Sequence, residues 1–316
     1  MNLHTDIPII PQEPTIGYHS DVLLLGSCFS ENIGARFEYF KFKTLINPFG
    51  ILFHPKAIEN FLWMVSQQEE YTEDDLFFHN EQWHCFDAHS RLSAENKMQV
   101  VTDLNSALDQ TYTTLKKVTH VVITLGTSWV YRLKAMDMIV ANCHKVAASE
   151  FHKELLSIEA IQQCIENSIA LIRSVNPKTT IVFTVSPVRH IKDGMVENTR
   201  SKSHLLTALH HSINEKKQVF YFPSYELMMD ELRDYRFYKG DMIHPNDTAV
   251  QYIWERFQKT WISEATIPTM KKVEEIQKGL RHKAFHPEGN AHQTFLDTLE
   301  AKKKKIQEEF SFMEFD

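Results

Sequence analysis

The chain has 316 residues, 43% of them hydrophobic and 24% charged, which is enough apolar material for a full globular core. Its formal net charge of -7 at pH 7, without a clustered basic face, argues against nucleic-acid binding, which needs lysine and arginine gathered against phosphates. No stretch is long and apolar enough to span a membrane, and the start lacks a signal peptide's basic, apolar and small-residue regions, so a cytoplasmic protein without membrane association is expected.

In chain order, residues 1–20 are punctuated by prolines and read as an extended lead-in. Val22 to Leu25, closed by Gly26, is too short for a buried helix and reads as a strand covered on both faces. Phe29, Ile33, Phe37 and Phe40 then recur at helical spacing. Ser27 and Cys28 therefore sit between a strand's carboxyl end and a helix's amino end, where unpaired N–H groups and the helix dipole favour negative charge. That turn suits a nucleophile, and there the Cys28 thiol is expected to have a lowered pKa.

A second strand follows at Lys41–Ile46, a turn at Asn47-Pro-Phe-Gly50, and a helix opened by Pro55. Residues 66–99, with Trp83, His84, Phe86, His89 and Ser90, lack a long period and read as an insertion over the sheet edge or the site. Helical periodicity over 98–116 leads into a third strand, His120–Leu125, ending at Gly126. After a loop with Asn142-Cys-His-Lys145, Glu150–Val175 reads as one long helix or two, stopped by Asn176-Pro177. Thr180–Val185 is a fourth strand, broken at Ser186-Pro187.

The polar segment Arg189–Arg200 precedes a helical stretch from Lys202 to Glu215, and Val219–Phe222 is a fifth strand. Helical spacing resumes over Tyr225–Leu232, and Asp241-Met-Ile-His-Pro-Asn246 precedes a core helix with Val250, Ile253, Trp254 and Phe257 on its apolar face. Beyond it lie a helical pattern at Lys271–Arg281 and a lysine run at Lys302–Lys305, read as a solvated face.

Strands alternating with helices imply an α/β fold with a mainly parallel five-stranded sheet and right-handed crossovers. Ligands in such folds bind at the carboxyl ends of the strands, where Gly26, Gly50, Gly126 and Ser186 fall. The expected division is residues 1–265 as one α/β domain and residues 266–316 as a helical extension. Asp241-x-x-His244 spaces a carboxylate to reach an imidazole, fix its tautomer and support the imidazolium formed when it takes a proton. Cys28, Cys85, Cys143 and Cys164 lack CxxC spacing and read as free thiols, with a chelate of His89, Cys143 and His144 as the lesser alternative. No metal or cofactor is expected.

Gly26-Ser-Cys-Phe-Ser30, Asn47-Pro-Phe-Gly50, Gly126-Thr-Ser-Trp129, Asn142-Cys-His-Lys145, Ser186-Pro-Val-Arg-His190 and Asp241-Met-Ile-His-Pro245 together resemble the GSCFA family, with Ser30 in place of the usual alanine. That family is similar to the SGNH, or GDSL, hydrolases, which implies a three-layer flavodoxin-like sandwich and ester hydrolysis. The resemblance puts Cys28 at the nucleophile's position and Ser27 beside it, with His244 and Asp241 as base and orienter. It implies oxyanion donors at Gly50, Gly126 and Ser128, the last replacing an asparagine, and makes His89, Lys145 and Arg189 candidates for substrate contact. A small-molecule or carbohydrate ester, such as an acetylated sugar, is the implied substrate. The alternative is a binding protein that keeps the fold without the chemistry.

Overall fold

The computed structural model describes residues 5–283 and 285–315. The first half of the chain forms β1 (Asp21–Gly26), α1 (Cys28–Tyr39), β2 (Lys43–Ile46), α2 (Pro55–Gln67), β3 (Phe77–His79), β4 (Gln82–His84), α3 (Lys97–Leu115), β5 (His120–Leu125), β6 (Trp129–Leu133), β7 (Met138–Val140) and β8 (Phe151–Leu155). The second half forms α4 (Ile158–Val175), β9 (Thr180–Val185), α5 (Met195–Ser212), β10 (Val219–Tyr221), α6 (Ser224–Glu226), α7 (Asp247–Trp261), α8 (Ile267–Leu280) and α9 (Asn290–Glu309).

Five strands form one sheet in the order β10-β9-β5-β1-β2, every pair parallel. This is the flavodoxin-like order, and the chain reverses direction across the sheet between β1 and β5, so a crevice opens at their carboxyl ends. The continuous apolar runs follow from burial on both faces. Leu23, Leu25, Val121, Ile123, Ile181 and Phe183 point into a core shared with α2, α3, α4 and α5. Val22, Leu24, Val122, Val182 and Phe220 point into a second core with α1 and α7. The expected three-layer sandwich is therefore what the chain forms.

The helices of the C-terminal extension join that second core, because Met270, Val273 and Ile276 of α8 and Leu299 and Ile306 of α9 cluster with Phe37, Trp254 and Phe257. Gln277 donates to the Tyr39 carbonyl at 3.1 Å, which fixes α8 against the end of α1.

Three expectations need correction. Phe151–Leu155 is not helical: it is β8, and α4 starts only at Ile158, where Ser157 caps the helix by accepting the Ala160 N–H. β8 pairs antiparallel with β6, which pairs with β7, and this separate three-stranded sheet stands where loop and helix are expected. Each of its strands has five residues or fewer, and their buried apolar side chains are Val130, Leu133, Val140 and Phe151, too few for a period to show. Finally, α5 begins at Met195, inside the expected polar loop. The small sheet is tied to the main body by His54, which caps α2 through Nδ1 and donates through Nε2 to the Val140 carbonyl at 3.0 Å.

Candidate active site

β1 ends at Gly26, whose φ of +125° and whose contact with β5 leave no room for a side chain: a Cβ would lie 2.1 Å from the Thr124 carbonyl oxygen. The Ser27 N–H donates to the same carbonyl at 3.0 Å, and Ser30 anchors the new helix by bonding Leu25 O and Thr124 Oγ1, both at 2.8 Å. The close β1–β5 approach thus sets the position of the whole turn.

Within it the two candidate nucleophiles are treated differently. Ser27 is buried and caps α1, its Oγ accepting the Phe29 N–H at 3.3 Å. Cys28 is the first residue of α1 and half-buried, and its N–H is one of those a helix start leaves without an intrahelical acceptor. Burial pushes the Cys28 thiol up from its ordinary pKa, and Glu31 adds to this while Lys202 and Lys239 oppose it. Partial loss of water and a carboxylate in the first turn therefore act against the expected lowering. The resting group is a thiol.

Asp241 and His244 lie in a tight loop between Tyr238 and Pro245, which bridge each other. Asp241 Oδ1 accepts the backbone N–H groups of Ile243 at 2.9 Å and His244 at 3.0 Å, and His244 Nδ1 donates to Oδ2 at 2.7 Å. These donors hold the Asp241 carboxyl well below the usual carboxylate range. The arrangement fixes the histidine tautomer and leaves Nε2 as its basic nitrogen. Met242 between them takes a left-handed φ of 58°, a conformation the surrounding bonds enforce.

Two groups outside the expected site residues complete the surroundings. Lys202 of α5 is fully buried and donates to the carbonyls of Gly126 at 2.6 Å and Ser186 at 2.7 Å, bridging the ends of β5 and β9. Burial pulls its pKa down to about 7, with the Cys28 charge acting in the opposite sense. His190 packs over Gly126, with Nε2 only 3.2 Å from where a Cβ would stand there. Burial, Lys202 and His244 together lower its pKa to about 3 and keep it neutral. Lys202 acts on both Cys28 and His190, Lys239 acts on Cys28, and His244 acts on His190, so the 239–244 loop and the 27–28 turn share one electrostatic neighbourhood. No period or motif singles out Lys202, since a lysine at a helix position reads as surface.

The three expected oxyanion donors are engaged elsewhere. Gly50 N–H donates to Asn47 O at 2.7 Å, Gly126 N–H donates to Phe53 O at 2.7 Å, and the fully buried Ser128 hydroxyl donates to Ser201 O at 3.0 Å. The Gly50 bond closes a turn, the Gly126 bond ties the end of β5 to the loop before α2, and the Ser128 bond seats α5. The backbone N–H of Cys28 is the donor the helix start supplies.

The remaining candidates separate. His89 abuts Gly50, whose Cβ would lie 2.4 Å from that of His89, and it shares the neighbourhood of Glu31 with Cys28. Arg189 stacks on Tyr238 at 4.1 Å and Tyr235 at 5.1 Å. His144 has both ring nitrogens engaged, with Ser90 Oγ at 3.1 Å and Cys85 O at 2.8 Å, so it is not available to a chelate with His89 and Cys143. Lys145 lies on a cavity of about 700 Å³ between the small sheet and the carboxyl edge of the main one. Trp129, Tyr131, Phe151, His190 and Ile243, the chain neighbour of His244, also line it, while Cys28, Asp241 and His244 themselves are not among its lining residues. Its volume is that of a small-molecule site.

Residues 21–257 match the model of the GSCFA family, and residues 273–316 match that of the GSCFA domain protein, C-terminal domain. No curated protein matches the sequence. Among solved structures, a carbohydrate esterase family 3 from Talaromyces cellulolyticus is similar with a TM-score of 0.37 and 9% identity, covering 80% of this chain and 98% of that one. A mutant acetyl esterase with acetate ion is similar with a TM-score of 0.36 and 10% identity, covering 80% of this chain and 99% of that one.

Proposed function

The chain belongs to the GSCFA family, and from the site it carries we propose an acyl-ester hydrolase or acyltransferase that works through Cys28, with His244 as base and Asp241 as its orienting partner. The observation that carries this reading is the 2.7 Å bond from His244 Nδ1 to a carboxylate itself held ionised by two backbone N–H groups. Cys28 is favoured over Ser27 because the serine hydroxyl is buried in the helix cap whereas the thiol is partly open.

With the thiol protonated at rest, the proton leaves during attack. His244 Nε2 takes it as Sγ bonds the ester carbonyl carbon. The oxyanion that forms meets the Cys28 N–H at the helix start, with Lys239 and Lys202 nearby. Collapse expels the alcohol, which receives the proton from the imidazolium and leaves an acyl thioester on Cys28. Water or an acceptor alcohol, deprotonated by His244, attacks the thioester; the acid or new ester departs and the thiol regains its proton. Neither half-reaction needs an oxidant or a metal.

A second reading, a binding protein without turnover, draws on the engagement of Gly50, Gly126 and Ser128 in fold bonds. Assay of p-nitrophenyl acetate and acetylated sugars separates the two. Turnover in the wild type, abolished in Cys28→Ala and His244→Ala but kept in Ser27→Ala, is the expected result. Absence of turnover on every ester, with sugar binding retained, would make the protein a binder.

A further inference from the structure

The cavity lined by His190 and Ile243 differs in charge from the rest of the molecule. The chain carries a net charge of -7, yet Lys145, Lys153 and Lys192 line this cavity against one carboxylate, Asp193. That carboxylate is already taken, since Lys153 pairs with it. Lys153 also lies 4.6 Å from the centre of the Trp129 ring, which holds it against the wall. Lys145 and Lys192 are exposed, and among the described residues neither has a carboxylate partner. Two cations without a carboxylate partner, Lys192 lying 5.7 Å from the centre of the Tyr131 ring, thus line a space walled by Trp129, Tyr131 and Phe151.

The backbone at the rim points the same way. His144 and Lys145 are consecutive non-glycine residues with left-handed φ, 47° and 61°. They are held there by the bonds of His144 to Ser90 and Cys85 and by its N–H to Asn142 Oδ1 at 2.9 Å. Strain of this kind persists where the fold over-determines it, and here it presents the Lys145 side chain at the cavity.

We propose that this cavity binds an anionic ring, a sugar bearing a carboxylate or a phosphate, with Lys145 and Lys192 on the charge and the aromatic wall on the ring. Resting on the ester-cleaving reading above, this makes the substrate an acylated anionic sugar whose ester bond reaches past Ile243 to His244. Two neighbouring cations select charge, and apolar ring walls select a flat hydrocarbon face.

Calorimetric titration of the full chain with glucuronate, glucose 6-phosphate and glucose tests it. Either anion should bind at least about tenfold more tightly than glucose, the scale of a charge-assisted contact. Lys145→Gln with Lys192→Gln, both at exposed positions, should bring that anion down to the glucose value. Preference for one anion identifies carboxylate or phosphate as the charge recognised. Equal affinity for all three sugars, anion binding that survives the double variant, or no binding of any at millimolar concentration would overturn the assignment. Because the titration reads no turnover, a chain that binds the anions but cleaves no ester loses only the catalytic reading. One that cleaves p-nitrophenyl acetate without preferring anions loses only the cavity assignment.

Discussion

Cys28 and Lys202, near the carboxyl ends of the strands, are two groups that burial pushes toward neutrality, one upward and one downward. For Cys28 this sets the pH course of alkylation. Iodoacetamide should label it slowly at neutral pH, with a rate that keeps climbing past the ordinary thiol range and no plateau below it. Mass spectrometry over pH 6 to 10 checks this, and a plateau near neutrality would restore a resting thiolate. Cys28 and the half-buried Cys143 should both react ahead of the buried Cys85 and Cys164. For Lys202 the consequence is in stability. The unfolded lysine releases its proton at about 10.5 and the folded one at about 7, so between these values the unfolded chain holds the extra proton and stability rises with pH. Below about 7 the penalty of a buried cation is fully present. Urea midpoints of the wild type and Lys202→Met should therefore diverge between pH 7 and 10 in the wild type's favour; parallel curves would place the lysine in water.

Each half of the site depends on how an element ends. β1 stops at a residue that must be glycine, because Gly26 combines a left-handed φ with an approach to Thr124 that excludes a Cβ. Gly26→Ala should destabilise by more than about 3 kcal/mol, since the clash is with backbone rather than with a side chain able to swing away, and a denaturation midpoint measures it. The α1 cap is milder. Ser27→Ala removes one capping bond and should lower stability by about 1 kcal/mol while leaving Cys28 in place. The small sheet of β6, β7 and β8 has only a small apolar cluster of its own, Leu133, Val140 and Phe151. Phe151→Ala should open it and weaken sugar binding, at about 3 kcal/mol or more of local stability. Hydrogen exchange should show the loss confined to residues 129–155.

At the scale of the molecule, the residues expected to form a separate extension help to complete a core. Phe310 packs on Tyr18 at 5.1 Å, Arg281 lies over Tyr39 at 4.9 Å, and Leu299 sits against Gly279. Removing residues 266–316 would uncover the apolar face that α1 and α7 present to α8 and α9. The full chain should then unfold in one transition, and the truncated chain should be insoluble or lose cooperative unfolding. A stable, soluble product ending at residue 265, with a transition of its own, would instead establish two independent units.

The order of strands and helices in the main sheet was legible because burial on both faces writes continuous apolar runs closed by glycine or proline, as at Val22–Gly26 and Thr180–Pro187. Asp241 and His244 were legible because their contact is local, three residues apart in one turn. The small sheet was not, since its short strands carry too few buried side chains for a period. Lys202 was not, because only the meeting of α5 with the ends of β5 and β9 gives that ammonium its two carbonyls. Nor could the engagement of Gly126 and Ser128 be read, as their partners lie far away in sequence. The sequence by itself determined which residue types reach the carboxyl edge of the sheet. Hydrogen-bond partners, loss of water and net field are properties of the assembled neighbourhood, so tertiary structure alone decided which of those residues keep a free proton, thiol or charge.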